Sequence, residues 1–289
     1  NDGIYKYELA IEHFEEKSRT RIKYERLWFD SKPLLQFVEG EAQLYRDNHS
    51  EGPKFPFDWE RSVLATIPAR RDNTRLTWFR ERLRRFLIVQ VNPTLMISES
   101  TGEEPDPSPY LENFASWYRY IYQDQAKAFL ITQALKEIWE RFDNFKFAIA
   151  GEQHRILMLS FSGNGDRSKS IEYRFDELSD GERTLVALYT LLYAADSGDY
   201  TLLIDEPENF VALPEIQPWL VTLYDLCNEG KLQALLISHH PELIDYLASS
   251  AGYWFERQGN TPVRVKRITD SIETGLPVSE LVARGWIHA

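Results

Sequence analysis

The chain has 289 residues, with 33 lysines and arginines against 45 aspartates and glutamates, which gives a formal net charge of −12. That length allows one or two domains with a substantial core, and the acidic balance argues against general affinity for nucleic acid. One cysteine excludes a disulfide framework; because the sequence also has neither a signal-peptide pattern nor an apolar run of membrane-spanning length, we expect a cytoplasmic protein without membrane contact.

The first 70 residues predict an antiparallel sheet. Apolar and polar side chains alternate from Ile4 to Ile11 and again from Arg21 to Leu27. Alternation with a period of two is typical of strands that have one buried and one solvated face. A loop that contains Pro53 and Pro56 interrupts the strands. We therefore expect residues 1–70 to form an antiparallel β part.

Residues 71–150 predict a compact helical insertion, which begins with an arginine-rich helix. The segment Arg70–Leu87 holds seven arginines and two acids. Asp72 or Asn73 is a candidate N-cap. A second helix is expected over Ala126–Asp143. The apolar residues of the first helix fall on one helical face and are Leu76, Phe79, Leu83, Phe86 and Leu87.

The arginines from Arg70 to Arg85 have two interpretations. They are a candidate contact for the phosphates of DNA or RNA, because clustered arginines supply the charge that nucleic-acid backbones need. Alternatively, the helix docks within the protein and its arginines pair with the many acids of this chain, which is the commoner use of a charged helix face.

The segment 151–289 predicts strands that lead into a helix start. Strands are expected over Arg155–Phe161 and Ile171–Phe175, with a turn at 163–165 between them. The residues Leu178-Ser179-Asp180-Gly181-Glu182-Arg183 follow, and then an apolar helix from Thr184 to Ala195.

Two apolar strands then end in polar motifs. The first, Tyr200–Ile204, is followed by Asp205-Glu206-Pro207, and the second, about thirty residues later, by Ser238-His239-His240-Pro241. Strands that are apolar throughout are typical of a mostly parallel sheet with both faces buried. Function in such sheets gathers at the carboxyl ends of the strands, where both motifs lie.

Each motif taken alone has an ordinary structural explanation. Ser179 or Asp180 could cap a helix that carries Glu182 in its first turn. An Asp-Glu pair after a strand is often a solvated turn, and a Ser-His-His sequence is more often surface than catalytic.

In order and spacing, however, the motifs together resemble the C-terminal half of an ABC-type ATPase: signature motif, Walker B, D-loop and switch histidine. The compact insertion, Asp205-Glu206-Pro207-Glu208-Asn209 and the closing Leu276–Ile287 resemble the prokaryotic RecF/OLD/SMC-like group of the AAA-21 type. The resemblance implies an α/β fold, with an ABC-ATPase-like mixed sheet flanked by helices, a compact helical insertion and an antiparallel β subdomain. Residues 151–289 would then hold the signature, Walker B and switch-histidine part of the ATPase core.

The resemblance also implies roles for single residues. Asp205 would hold Mg²⁺, Glu206 would polarise the attacking water, and His239 would contact the γ-phosphate of ATP. Asn209 would belong to the D-loop at the dimer interface. At the start of the signature helix, Ser179, Gly181 and Glu182 would face the γ-phosphate that the opposite subunit binds, where a helix N-terminus favours an anion.

One expected motif is absent. The sequence contains no G-x-x-x-x-G-K-[ST], the loop that cradles nucleotide phosphates. We expect ATP to bind poorly without it, and we expect a segment that is not in this sequence to supply it.

The sequence therefore predicts an ATPase whose ATP-dependent homodimerisation, through composite ATP sites, regulates a DNA-acting effector in phage defence or DNA repair. By family analogy alone, the effector is a nuclease or toxin encoded nearby. The alternative is a scaffold or sensor that uses the ATPase fold only for assembly and does not hydrolyse ATP.

Overall fold

A computed structural model describes residues 3–14, 19–163, 170–195, 200–257, 259, 261–268 and 276–284. The chain divides into two units, Asn1–Phe86 and Leu87–Ala289. The single boundary between them differs from the predicted boundaries at residues 70 and 150. The arginine-rich helix belongs to the first unit because its apolar side chains pack into the core of that unit.

The first unit is built on a five-stranded antiparallel meander, in which each strand pairs with the next along the chain. The strands are β1 (Tyr5–Phe14), β2 (Arg19–Phe29), β3 (Lys32–Val38), β4 (Glu41–Tyr45) and β5 (Glu51–Pro56). The alternation of the sequence appears in β2, where Leu27 is fully buried while the neighbouring Arg26 is partly exposed. The antiparallel β subdomain that the sequence predicted is confirmed.

Two helices, α1 (Val63–Thr66) and α2 (Thr74–Leu83), complete the first unit. The fully buried carboxylate of Glu25 accepts hydrogen bonds from the backbone N–H of Val63 at 2.7 Å and the hydroxyls of Tyr7 and Ser62 at 2.7 and 2.6 Å. These donors compensate a charge that would be costly to bury alone. Burial and the nearby Glu25 raise the pKa of Tyr7 well above its usual range.

Helix α2 is shorter than predicted. It ends at Leu83, and Phe86 and Leu87 lie in the next strand instead of on the helical face. Its N-cap position is Asn73, but the side chain of Asp47 accepts the hydrogen bonds of the first turn, from the backbone N–H groups of Thr74 at 2.9 Å and Arg75 at 3.0 Å.

The second unit contains a three-stranded sheet in the order β12-β11-β6, where β6 is Phe86–Gln90, β11 is Thr201–Asp205 and β12 is Gln233–Ile237. Strands β11 and β12 are parallel, with Asp205 opposite Ile237. Helix α5 (Asp180–Ala195) is buried along most of its length against this sheet's core. The α/β fold class that the sequence predicted is confirmed.

A four-stranded antiparallel sheet forms the second layer of this unit. Its strands are β7 (Glu99–Ser100), β8 (Phe142–Ile149), β9 (Arg155–Ser162) and β10 (Ser170–Arg174). Residue 163 is described, whereas 164 and 165 of the predicted turn lie outside the described residues. The remaining elements are α3 (Phe114–Ile121), α4 (Gln125–Ile138), α6 (Leu213–Asn228), α7 (Pro241–Ala251), β13 (Tyr253–Glu256), β14 (Arg264–Arg267) and α8 (Val278–Ala283).

The segment 71–150 is therefore mixed where the sequence predicted a helical insertion. Helix α4 ends at Ile138, five residues before the predicted end. Phe142 instead begins β8, because it pairs with Phe161 of β9 across an antiparallel ladder. Strands β6 and β7 also lie in this segment. The helical period in the sequence of Ala126–Asp143 thus continues past the end of α4 into residues that pair with the next strand, β9.

Candidate functional site

The carboxyl ends of β11 and β12 bring an aspartate, a glutamate and a histidine together. Asp205 ends β11, and the backbone N–H of Glu206 donates to the carbonyl of Ile237 at 2.8 Å, which extends the parallel pairing by one residue. The side chain of His239 follows β12 and is 85% exposed, and its Nε2 lies 3.9 Å from Oε1 of Glu206. Residues that follow two adjacent parallel strands lie close together, because the carboxyl ends of those strands meet at one edge of the sheet.

Asn209 holds both the backbone and the side chain of Glu206. Its backbone φ is +48°, a left-handed value that costs a non-glycine residue about 1–2 kcal/mol. Its Oε2 accepts a hydrogen bond from Nδ2 of Asn209 at 2.7 Å, and its carbonyl accepts from the backbone N–H of Asn209 at 3.1 Å. Asn209 thus fixes both the turn after β11 and one oxygen of the carboxylate. The other oxygen faces His239.

A glutamine that the sequence argument missed lies beside Asp205. Nε2 of Gln90, the last residue of β6, donates to Oδ2 of Asp205 at 3.2 Å. The signal in the sequence was a polar residue at the end of the apolar run Phe86–Val89, the same pattern that marks Asp205. The position of β6 beside β11, however, cannot be predicted from the residues around Gln90.

The start of α5 forms a reciprocal cap. Glu182 Oε2 accepts from the backbone N–H and the hydroxyl of Ser179, both at 2.8 Å, and the backbone N–H of Glu182 donates to the Ser179 hydroxyl at 3.3 Å. This is the capping-box arrangement, in which the two side chains satisfy each other's backbone donors. Ser179 and Glu182 therefore do cap the helix, which is the ordinary structural explanation for these residues. Ser179 is also exposed to solvent.

Arg183 joins the start of α5 to the loop after β6. Its Nη1 donates to the carbonyl of Pro93 at 2.6 Å and its Nη2 to Oδ1 of Asp180 at 2.5 Å, while the side chain is only 13% exposed. Upstream, the guanidinium of Arg174 binds Asp176 through Nε at 3.0 Å and Nη2 at 2.9 Å. The bond from Arg174 lowers the pKa of Asp176 below its usual value, although partial burial acts in the opposite direction.

Gly181 lies against the turn after β11. A Cβ atom at this position would be 2.7 Å from the carbonyl oxygen of Phe210, closer than real Cβ contacts. Phe210 itself has a φ of +70°. The structure thus brings two of the sequence-predicted groups into contact, the start of α5 and the turn that carries Glu206 and Asn209.

The arginines of the first unit are largely engaged within the chain. Arg75 donates to the carbonyl of Asp47 at 3.2 Å, and Arg80 and Arg84 bind Glu81 at 2.9 and 3.3 Å. Arg80 is nearly buried, since its side chain is 12% exposed. Arg70 and Arg71 are exposed at the N-terminal side of α2. The geometry therefore favours the docking interpretation for Arg75 and Arg80 and leaves the exposed arginines as candidates for phosphate contact.

The described residues contain no group of three or more histidine, cysteine, aspartate or glutamate side chains placed to hold a metal ion. Magnesium in phosphate-transfer sites commonly takes only one or two carboxylates and binds the substrate phosphates in addition. Asp205, at a strand end with a partly exposed carboxylate, fits that donor set. Within the described part of the chain, no helix has the length and apolar character to cross a membrane.

Comparison with known proteins gives one family match. The model of the family AAA_21, described as "AAA domain, putative AbiEii toxin, Type IV TA system", matches residues 2–245. The comparison with curated proteins finds no match. Among solved structures, an SMC head bound to the C-winged helix domain of ScpA is 11% identical, with a TM-score of 0.45, and the match covers 91% of this chain and 75% of that one.

A second solved structure comes from work on ATP-driven dimerization and DNA-stimulated activation of SMC ATPases. It is 11% identical, with a TM-score of 0.38, and the match covers 60% of this chain and 97% of that one.

Proposed function

The chain belongs to the AAA_21 family, and from that premise we propose that it carries the hydrolytic side of an ATP site whose closure by dimerisation regulates a DNA-acting effector. The observation that carries the proposal is the placement of Glu206 between Asn209 and His239 at the carboxyl ends of β11 and β12. The family predicted from the sequence is confirmed by the match over residues 2–245.

The proposed chemistry follows from that geometry. Phosphoryl transfer needs a group that orients the attacking water and groups that stabilise the charge on the transferred phosphate. Glu206 has one oxygen held by Asn209 at 2.7 Å, so its other oxygen is available to accept a proton of a water molecule. His239, exposed and 3.9 Å away, would donate to a phosphate oxygen. Glu206 thus acts on the water and His239 on the phosphate.

Asp205 is the residue that would hold Mg²⁺, and Gln90 would orient the Asp205 carboxylate through the bond at 3.2 Å. When bound, Mg²⁺ neutralises charge on the phosphate oxygens. Asp205 and Gln90 end adjacent strands of one sheet, which places the carboxylate and the amide side by side.

We propose that a segment outside this sequence supplies the phosphate-binding loop, and the uncovered face of the sheet supports this part of the proposal. Leu203 and Leu235 are paired and share a face with Ile237, and Ile88 lies on the same face as Gln90. Ile88, Leu235 and Ile237 are 64%, 51% and 55% exposed. Parallel sheets normally have both faces covered. In the described sheet β12 is also an edge strand, so a further strand and helix can complete it beside Glu206 and His239.

Dimerisation and the effector are the finer part of the proposal. Ser179 is exposed at the N-terminus of a 16-residue helix, where a phosphate held by a second copy would meet the positive end of the helix dipole. The family description names a putative AbiEii toxin of a type IV toxin–antitoxin system, which supports a role linked to such a system. The nuclease or toxin as a separate effector, and the role in phage defence, are the parts of the proposal that rest on family analogy.

The test is ATP turnover by a protein that joins this chain to its phosphate-binding segment. Glu206→Gln removes the group that orients water but keeps Asp205, so ATP should bind and remain unhydrolysed, with turnover lower by about 100-fold or more. Glu229→Gln is the matched control, because Glu229 is an exposed glutamate paired with Lys231 and should leave turnover unchanged.

The competing function is a scaffold or sensor that uses the fold only for assembly. No turnover in the unsubstituted protein when ATP binds would favour this alternative. Unchanged turnover in Glu206→Gln would instead mean that Glu206 does not orient the attacking water.

A further inference from the structure

A serine and a glutamate next to the proposed ATP site form a link that the proposed mechanism does not use. The hydroxyl of Ser238 donates to Oε1 of Glu208 at 2.5 Å. Ser238 directly precedes His239 at the end of β12, whereas Glu208 lies in the turn after β11, 30 residues away. We propose that Glu208 and Ser238 are positioning residues that hold the turn 206–211 in register with residues 238–240, and thereby set the distance between Glu206 and His239.

The first step of the argument is that the Ser238 hydroxyl is engaged on both sides. It donates its single hydrogen to Glu208 and accepts a hydrogen bond from the backbone N–H of His240 at 3.0 Å. The backbone on either side of His239 is therefore fixed to one oxygen atom. The imidazole of His239 is 85% exposed, so packing does little to hold it. Its position follows from the backbone at 238 and 240.

The second step concerns Glu206. Between Glu206 and Glu208 there is one residue, the buried Pro207, whose ring restricts the backbone. The backbone N–H of Val211 donates to the carbonyl of Glu208 at 3.2 Å and that of Asn209 to the carbonyl of Glu206 at 3.1 Å. A shift of Glu208 therefore moves the whole turn and Asn209 with it, and Asn209 holds the Glu206 carboxylate.

The third step is the cost of the link. Oε2 of Glu208 is buried and has no hydrogen-bond partner among the described residues. A buried carboxylate oxygen without a partner opposes folding, and such groups call for a functional explanation. A residue placed there for stability alone would not need the charge. A short hydrogen bond from a hydroxyl to a carboxylate is, however, among the stronger ones and gives a well-defined distance.

The inference deepens the proposed ATP site, but its first test does not need ATP. Amide hydrogen exchange of this chain is compared with that of Ser238→Ala, Glu208→Ala and the control Ser250→Ala. In the control, the hydroxyl that is lost donates to the carbonyl of Leu247 on α7. Loss of the link should speed exchange at Glu206, Asn209 and His240 about tenfold in both variants. Ser250→Ala should change none of the three.

Each substitution must speed amide exchange in the segment that does not contain it. If Glu208→Ala leaves the His240 amide unchanged, or Ser238→Ala leaves Asn209 unchanged, the link does not couple the two segments and the proposal is wrong. Uniformly faster exchange over the whole second unit would mean a purely stabilising role and would overturn it as well.

The second test measures ATP turnover in a protein that includes the phosphate-binding segment. Ser238→Ala and Glu208→Ala should each lower kcat about 10- to 100-fold with little change in KM, since a displacement of about 1 Å in a reacting group has that effect. The double variant should be no slower than the slower single variant, and Ser238→Thr should restore turnover because it keeps the hydroxyl. Additive losses, or a change in KM alone, would contradict positioning. An unsubstituted protein without turnover but with coupled exchange would refute the proposed function and leave the link standing.

Discussion

Gly181 and Phe210 meet backbone to backbone: a Cβ added to Gly181 would lie 2.7 Å from the Phe210 carbonyl oxygen. This contact joins the first turn of α5 to the turn that holds Glu206 and Asn209. The proposed signature helix and the proposed D-loop are thus in contact within one copy of the chain. Movement of either one is expected to displace the other.

Gly181→Ala is predicted to destabilise the protein although alanine is the better helix former. The new methyl group meets a backbone atom that cannot rotate away, and overpacking of this kind costs about 1–3 kcal/mol. Urea unfolding of the second unit measures the change. Gly102→Ala is the control, since nothing lies within 4 Å of a Cβ at Gly102, and it should stay within about 0.5 kcal/mol of the unsubstituted protein. Equal stability of the two variants would show that the turn at Phe210 adapts freely.

Ser179→Arg is predicted to abolish ATP-dependent dimerisation while each copy still binds ATP. A bulky cation at the exposed N-cap of α5 would block the approach of a second copy instead of the entry of nucleotide. Light scattering with Glu206→Gln as the background measures the dimer. Ser179→Ala removes the two hydrogen bonds between the Ser179 hydroxyl and Glu182 but keeps the one from its backbone N–H, and should cost only about 1 kcal/mol of stability. A dimer that still forms with Ser179→Arg contradicts the composite site.

Replacing the exposed arginines of the segment Arg70–Arg85 with alanine is predicted to weaken binding of DNA or RNA. These arginines are Arg70, Arg71 and Arg84. The slope of log affinity against log salt should fall by roughly 0.9 for each lost contact with duplex phosphate. Lys54→Ala, in an exposed pair with Glu41, controls for the loss of a positive charge elsewhere in the same unit. A slope that is the same in both variants would leave the docking interpretation of the helix.

Asp47→Asn is predicted to lower stability at neutral pH and to matter less in acid. Partial burial raises the pKa of Asp47, but bonds from Arg75 and Thr74 outweigh it and hold that pKa below the usual value. The pKa of Asp47 is lower in the folded than in the unfolded state, so ionised Asp47 stabilises the fold. This stabilisation is complete above the unfolded pKa of about 3.9 and is lost as the pH falls through the folded pKa.

Asparagine cannot reproduce this cap, because both oxygens of Asp47 accept hydrogen bonds: Oδ2 from Thr74 and Oδ1 from Arg75. We expect a loss of about 1 kcal/mol at pH 7, from urea unfolding of the first unit, and a smaller difference near pH 3. A difference that is independent of pH would mean that the charge of Asp47 contributes nothing to capping α2.

The local patterns of the sequence determined much of this protein. The alternation from Arg21 to Leu27 gave β2, because a strand with one buried face repeats every second residue. The apolar runs before Asp205 and Ser238 correctly predicted β11 and β12, and the cap at Ser179 correctly predicted the start of α5. The order of these motifs along the chain was also enough to predict the family, because it is a property of the sequence itself.

Only the tertiary structure decided where elements end and which polar groups meet. Phe142 and Phe86 have a helical pattern in the sequence but lie in strands, since each is held by pairing within a sheet. Gln90 reaches Asp205 across 115 residues, and Ser238 reaches Glu208 across 30. Such contacts depend on strand order and register, which no local window of sequence contains, because the free energy that fixes them comes from partners far away along the chain.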